Sequence, residues 1–146
     1  MTCCFFGHHD ASENIKPSIE VAVRNLIDKA GVTDFLVGNQ GRFDSMVLSI
    51  LRKLKVEYPD ISYKVVLAYL PTTKDDLASL EPMETIYPEG METTLKRFAI
   101  SKRNDWMLSQ SDIVVCYVWH HFGGSSQFVE KAIKQKKRVI NLSERE

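Results

Sequence analysis

Residues 112–142 read DIVVCYVWHHFGGSSQFVEKAIKQKKRVINL. The run from Asp112 to Trp119 is apolar and rich in β-branched residues, the pattern of a strand covered on both faces. From Ser126 onward, Phe128, Val129, Ala132 and Ile133 recur at helical spacing with an inward face, and Arg138 to Leu142 becomes extended and apolar again. Strand, helix and strand in such quick succession imply parallel pairing and a right-handed crossover. Between the first strand and the helix stand Gly123, Gly124, Ser125 and Ser126. Small residues leading into a helix expose backbone N–H groups at the positive end of the helix dipole, and together these bind phosphate. The same four residues also make an ordinary glycine turn with a serine cap, so the loop alone does not decide function.

Outward from this unit the same alternation continues. Thr2 to Gly7, TCCFFG, is a short apolar run ending in glycine, followed by Ile15, Ile19, Ala22, Val23, Leu26, Ile27 and Ala30 at helical spacing, with Pro17 near the start and Gly31 at the end. Proline and glycine are tolerated at those two positions. DFLVGNQGRFDS supplies a second strand and a glycine-bearing loop. Met46, Val47, Ile50, Leu51 and Leu54 then mark a helix behind a cap at Asp44, and SYKVVLAYL is the third strand. Residues 71–90 dissolve into Pro, Thr, Asp and Glu, an irregular excursion rather than a second domain. Helical spacing resumes around Leu95, Phe98, Ala99, Met107 and Leu108, with Trp106 and Phe98 expected to pack on the sheet.

The expected fold is therefore a single α/β domain over residues 1–146, Rossmann-like and doubly wound, with a mostly parallel sheet of about five strands and helices on both faces. Ligands of such sheets bind beyond the carboxyl ends of the strands, where strand order reverses. The loops leaving those ends are GHHD, GNQGRFD and HHFGGSS, and all should lie on one edge.

Composition narrows the function. Apolar residues make up 44% and charged residues 26% of 146 positions, as in ordinary globular proteins. Lys plus Arg and Asp plus Glu both number 19, a balance that argues against general nucleic-acid binding while leaving room for one local basic patch. No apolar run reaches a membrane span and the N-terminus lacks the features of a signal peptide, which points to the cytoplasm and to no membrane partner. Cys3, Cys4 and Cys116 are odd in number and sit in apolar runs, so they read as core thiols rather than disulfides. His8, His9, His120 and His121 show no metal-ligand spacing with them, and neither a metal nor a cofactor is expected.

From Ile100 onward the chain resembles the SLOG superfamily, which groups the LONELY GUY phosphoribohydrolases, the DprA/Smf proteins and nucleotide-sensing domains of bacterial defence systems. In the LONELY GUY group a catalytic Arg precedes a Ser-Asp pair that opens a strand, and the strand leads to P-G-G-x-G-T-x-x-E. Here Arg103 precedes Ser111 and Asp112, and Gly123-Gly124 precedes Glu130, at matching spacing. Phe122, Ser126 and Gln127 replace the Pro, third Gly and Thr. The opening CCFFGHHD is similar to that of a small stand-alone SLOG branch, with His9 where Arg is more usual. The resemblance implies the fold across nearly the whole chain, least over residues 71–90.

Two functions compete. In the first, the chain binds a nucleotide-derived small molecule, of the ADP-ribose or cyclic-nucleotide type, as a sensor or a sequestering protein. In the second, it is a nucleotide N-glycosidase in which Glu130 stabilises positive charge on the ribose or activates water, and Arg103 holds phosphate or orients Glu130. The altered glycine motif favours binding. Expected ligand contacts are Gly7, His8, His9, Asn39, Gln40, Arg42, Arg103, Asn104, Trp119, His120, Gly123, Gly124, Ser125 and Ser126, with Arg42 and Arg103 at the rim of the pocket. Each has a plainer reading as turn, capping or surface residue; for Arg103 this is a solvated helix position, and for Glu130 a pair with Lys134. Homo-oligomers are expected, as in related domains.

Overall fold

A computed structural model of the protein describes residues 1–71, 79–119 and 124–145. Six strands form one parallel sheet: β1 (Thr2–Gly7), β2 (Asp34–Val37), β3 (Ser62–Val66), β4 (Thr85–Ile86), β5 (Ile113–Tyr117) and β6 (Arg138–Asn141). Their order across the sheet is β4-β3-β2-β1-β5-β6. The helices are α1 (Lys16–Ala30), α2 (Arg42–Glu57), α3 (Ala99–Gln110) and α4 (Gly124–Lys134).

Strand residues alternate between two faces, and both faces are covered. Cys3 and Phe5 of β1, Phe35 and Val37 of β2, and Ile113 and Val115 of β5 share one cluster with Ile19, Val23 and Leu26 of α1 and Val47, Ile50 and Leu54 of α2. Cys4, Phe6, Leu36, Val114 and Cys116 point the other way, onto Met107 and Leu108 of α3 and Phe128 and Ala132 of α4. Phe5 stacks on Phe35 at 6.1 Å on the first side, and Phe6 on Phe128 at 5.5 Å on the second. Burying one such ring is worth about 1.5–3 kcal/mol. A sheet so covered needs continuous apolar strands, which is what β1 and β5 supply. The three cysteines are buried thiols, and burial pushes the Cys4 thiol up to about 12, so it behaves as a core residue rather than a nucleophile.

Several expectations are corrected by packing. The third strand ends at Val66 rather than Leu70, because its outer neighbour β4 offers only two residues of ladder, Thr85 and Ile86. That sixth strand lies within the stretch read as irregular; two residues are too few to show a period. Asp44 is not the cap of α2. Gly41 holds that position and Asp44 turns inward from the first helical turn. Phe98 is exposed rather than packed on the sheet, as is Ile133 on α4. The inward row of α3 is instead Ala99, Arg103, Met107 and Leu108, while Trp106 does pack against the second cluster.

Among the described residues, Glu84 ties the excursion before β4 to the body through its side chain. Glu84 accepts from Arg52 Nε at 2.8 Å and Nη2 at 2.7 Å, and from the Tyr63 hydroxyl at 2.7 Å. Arg52, foremost, lowers the Glu84 pKa to about 2 from 4.5. A depressed carboxylate adds stability above its unfolded pKa and loses it as pH falls through the folded value. Glu84→Gln is therefore expected to cost about 1–2 kcal/mol near pH 7, after allowance for the exposed Arg52. The difference from wild type should close between pH ~4.5 and ~2. Urea unfolding of both proteins across that range is the check, and a pH-independent difference would exclude Glu84 as the titrating group.

Candidate functional site

The strand order reverses between β1 and β5, with β2, β3 and β4 on one side of β1 and β5 and β6 on the other. Their register sets Gly7 opposite Tyr117, so the segments that leave the two strands start level with each other. In a doubly wound sheet this is where a ligand crevice opens.

Three segments meet there. The backbone N–H of Trp119 donates to His8 Nε2 at 3.2 Å, and the two rings meet edge-on with centroids 4.1 Å apart. The Tyr117 ring centre lies 4.8 Å from that of Trp119, yet Trp119 stays 42% exposed. The loop after β2 closes on the same turn: the Arg42 N–H donates to the His9 carbonyl at 2.8 Å. Gly41 has φ +95°, and a Cβ there would lie 2.5 Å from His9 Cα, so both its conformation and its closeness require glycine. His8, His9, Asn39, Gln40, Arg42 and Trp119 thus line one edge of the sheet. Gly7 serves a different need than close approach of a ligand; a Cβ there would sit 2.2 Å from Phe43 Cγ.

Beneath this row lies a pair of charges. Arg103 is only 2% exposed and Asp44 only 8%. A Cβ on Gly38 would fall 2.7 Å from Arg103 Nη1 and 2.9 Å from Asp44 Oδ2, so the absent side chain makes the space into which both groups fit. Arg103 Nη1 donates to the Val66 carbonyl at 3.0 Å, at the end of β3, and Nε donates to Asn104 Oδ1 at 2.7 Å. Asp44 Oδ2 accepts from the Gln40 N–H at 2.9 Å. Burial pushes the Asp44 carboxyl up to about 6, against the pull of the Gln40 N–H and the Arg103 guanidinium. Burial likewise lowers the Arg103 pKa, opposed by Asp44 and Tyr69. Arg103 is therefore neither the solvated helix residue nor the rim residue of the sequence reading; it is buried under the second loop.

The remaining expected residues divide. Ser126 is buried in the first turn of α4, and Glu130, farther along, is exposed. Gly124 and Ser125 are described only as the start of that helix, while His120, His121 and Gly123 lie outside the described residues. Ser111 and Asp112 sit at the opposite, amino edge: Ser111 Oγ donates to the Met107 carbonyl at 2.8 Å, and Asp112 Oδ2 accepts from the Thr2 N–H at 3.1 Å. Sequence reasoning missed Asp44, Gly38 and Asn141. The Asn141 side chain pairs with both backbone groups of Val118, at 3.3 and 3.1 Å, and so continues the β5–β6 pairing up to the residue before Trp119. Among the described residues no three His, Cys, Asp or Glu side chains gather as metal ligands, and no helix is long and apolar enough to cross a membrane.

The chain belongs to the YspA SLOG family, whose model matches residues 2–143. No curated protein matches it in sequence. Among solved structures it is similar to DNA processing protein A (DprA) from Streptococcus pneumoniae, with a TM-score of 0.70 at 14% identity over 94% of this chain and 48% of that one. A second is DNA processing protein A from Helicobacter pylori, described for its single-stranded DNA binding mode, with a TM-score of 0.67 at 15% identity over 95% of this chain and 63% of that one. The chain thus spans about half the length of the first and under two thirds of the second. Family and fold together mark a Rossmann-like α/β domain of the SLOG type. The expectation of no general nucleic-acid binding is overturned by this likeness: the fold is shared with a protein that binds single-stranded DNA, and overall charge balance is no ground for the exclusion.

The buried pair makes stability depend on pH. Asp44, with its pKa raised from 3.8 to about 6, holds its proton more tightly folded than unfolded. Its contribution is fully present below pH ~4 and is lost as pH rises through ~6. Between pH 4 and 7 wild type should lose roughly 2–3 kcal/mol relative to Asp44→Asn, measured by urea unfolding at both ends. Parallel pH profiles for the two proteins would show that Asp44 does not titrate in this window.

Proposed function

We propose that this SLOG-family chain binds a nucleotide-derived small molecule, of the ADP-ribose or cyclic-nucleotide type, where β1 meets β5, and acts as a sensor or sequestering protein. The observation that carries the reading is the contact of His8 with Trp119, which joins the first loop to the segment leading into α4 at the switch point of the sheet. The exposed Trp119 ring and His8 offer an aromatic surface for a base. Gly123, Gly124, Ser125 and Ser126, with the N-terminus of α4, supply amides and hydroxyls for phosphate. Arg42, exposed in the first turn of α2, can take a second phosphate through its planar fork. Asn39 and Gln40 suit ribose hydroxyls.

Binding is favoured over glycosidic cleavage by the state of the two residues cleavage needs. The Arg103 guanidinium is engaged by the Val66 carbonyl and Asn104, and Glu130 is exposed on α4. A carboxylate in water stabilises an oxocarbenium-like centre far less than one in a closed site. In this reading Arg103 and Asn104 position the second loop rather than touch ligand.

Purified wild type is expected to carry a nucleotide-type molecule released intact on denaturation, identified by mass spectrometry. Gly124→Asp places a side chain and a negative charge at the anion site and should weaken binding of that molecule at least tenfold, ~1.4 kcal/mol. Wild type and Glu130→Gln incubated with nucleoside monophosphates, ADP-ribose and cyclic nucleotides should both leave the substrates whole. Free base from wild type but not from the variant would establish cleavage instead, because a carboxylate that works in the transition state affects rate far more than binding.

A further inference from the structure

Residues 93–104 contain four cations, Lys96, Arg97, Lys102 and Arg103, and no Asp or Glu, in a chain whose formal net charge is zero. Arg103 is buried, while Lys96, Arg97 and Lys102 are exposed. Large apolar side chains are exposed among them: Leu95 at 60%, Phe98 at 52% and Ile100 at 38%. The Tyr69 hydroxyl donates to the Lys96 carbonyl at 3.0 Å, which brings the segment after β3 onto the same surface, next to the exposed Leu70. Two cation–aromatic pairs result. Lys96 Nζ lies 6.0 Å from the Tyr69 ring centre, and Arg97 Cζ lies 4.8 Å from that of Phe98. Because Arg103, one helical turn on, reaches the carbonyl of Val66 at the end of β3, this surface lies at the carboxyl edge, beyond β3.

We propose that Tyr69, Lys96, Arg97 and Phe98 form a binding surface for single-stranded nucleic acid. Such a surface complements a single strand chemically. A single strand presents a phosphate at every nucleotide and an open face on every base, and it is held by cations interleaved with aromatic rings on which bases stack. A duplex hides its base faces, and an acidic peptide offers charge without flat rings to stack. Phe98 belongs to none of the three core clusters, and its exposed ring beside Arg97, with Lys96 over Tyr69, matches a ligand with both features. The proposal does not depend on the small-molecule reading of the β1–β5 crevice.

The test is fluorescence anisotropy with a fluorescein-labelled oligothymidylate, titrated at several salt concentrations. Wild type should bind, with affinity falling as salt rises. Arg97→Glu should weaken binding at least tenfold and flatten the salt dependence, whereas Phe98→Ala should weaken it several-fold with the salt dependence kept. Circular dichroism melts establish that both variants are folded, as their exposed positions lead one to expect. Gly124→Asp, which addresses the other site, should leave oligothymidylate binding intact. The proposal is overturned if wild type does not bind, if folded Arg97→Glu binds as wild type does, or if a blunt duplex binds as tightly as the single strand. Loss of binding in Gly124→Asp but not in Arg97→Glu would move the strand to the crevice. Tighter binding to phosphatidylserine vesicles than to the oligonucleotide, lost in Arg97→Glu, would assign the surface to a membrane.

Discussion

Arg103 and Asp44 come from helices on opposite faces of the sheet and both reach the carboxyl end of β2, in the space that Gly38 leaves by having no side chain. Each would be costly alone, since a buried charge without partners carries a penalty of several kcal/mol. Here hydrogen bonds offset part of that cost, and burial still holds the Asp44 pKa up: the guanidinium takes the last carbonyl of β3, and the carboxylate takes an amide of the second loop. The pair therefore does what apolar packing cannot. It fixes the direction of a loop at the sheet edge, where the hydrophobic clusters end. Once that loop is set, Gly41 and the Arg42 amide fasten it to His9, and His8 fastens the first loop to Trp119. The order of the edge follows from two buried charged groups, each hydrogen-bonded to backbone, and from Gly38 and Gly41.

The parts of this arrangement legible in the sequence are those with a period or a motif. Strands β1 and β5 are uninterrupted apolar runs, and α1 and α2 show clean apolar rows, so the doubly wound sheet and the meeting of its first two loops at one edge could be read directly. Three features could not. β4 has two residues and hence no pattern. Asn141 looks like the polar end of a strand, and only the fold reveals that its amide pairs with Val118. Asp44 and Arg103 are far apart in the chain, and each has a sensible local reading, as a helix cap and as a surface cation. The signal for Arg103 was its place in the row Ala99, Arg103, Met107, where a buried position is implied by its neighbours. Ile133 shows the reverse: its helical phase suggested the core, and the limited width of the sheet beneath α4 leaves it exposed.

The motif that carried the family resemblance turns out to mix two functions. Its Ser111 and Asp112 stand at the amino edge, where they end α3 and tie β5 to the start of β1, while Arg103 stands at the carboxyl edge. Matching the spacing of such a motif therefore reports the fold more securely than the chemistry. A Ser-Asp pair that opens the central strand is required wherever α3 must hand over to β5, whatever the crevice at the other end binds.

Net charge is the weakest of the global measures for the same geometric reason. Nineteen cations and nineteen anions cancel in the sum, but a polyanion feels only the charges within about 10 Å, the screening length near physiological salt. Several anions are engaged elsewhere, Glu20 and Glu57 with Arg24 and Lys53, and Glu84 with Arg52, on and around α1 and α2, while Asp105, just past the basic stretch, pairs with Lys131. Those pairs neutralise cations of the same region and leave Lys96, Arg97 and Lys102 in a stretch with no acidic residue of its own. An overall balance of charge is thus compatible with a locally basic edge, and that edge coincides with the carboxyl ends of the strands, where the fold already gathers its loops.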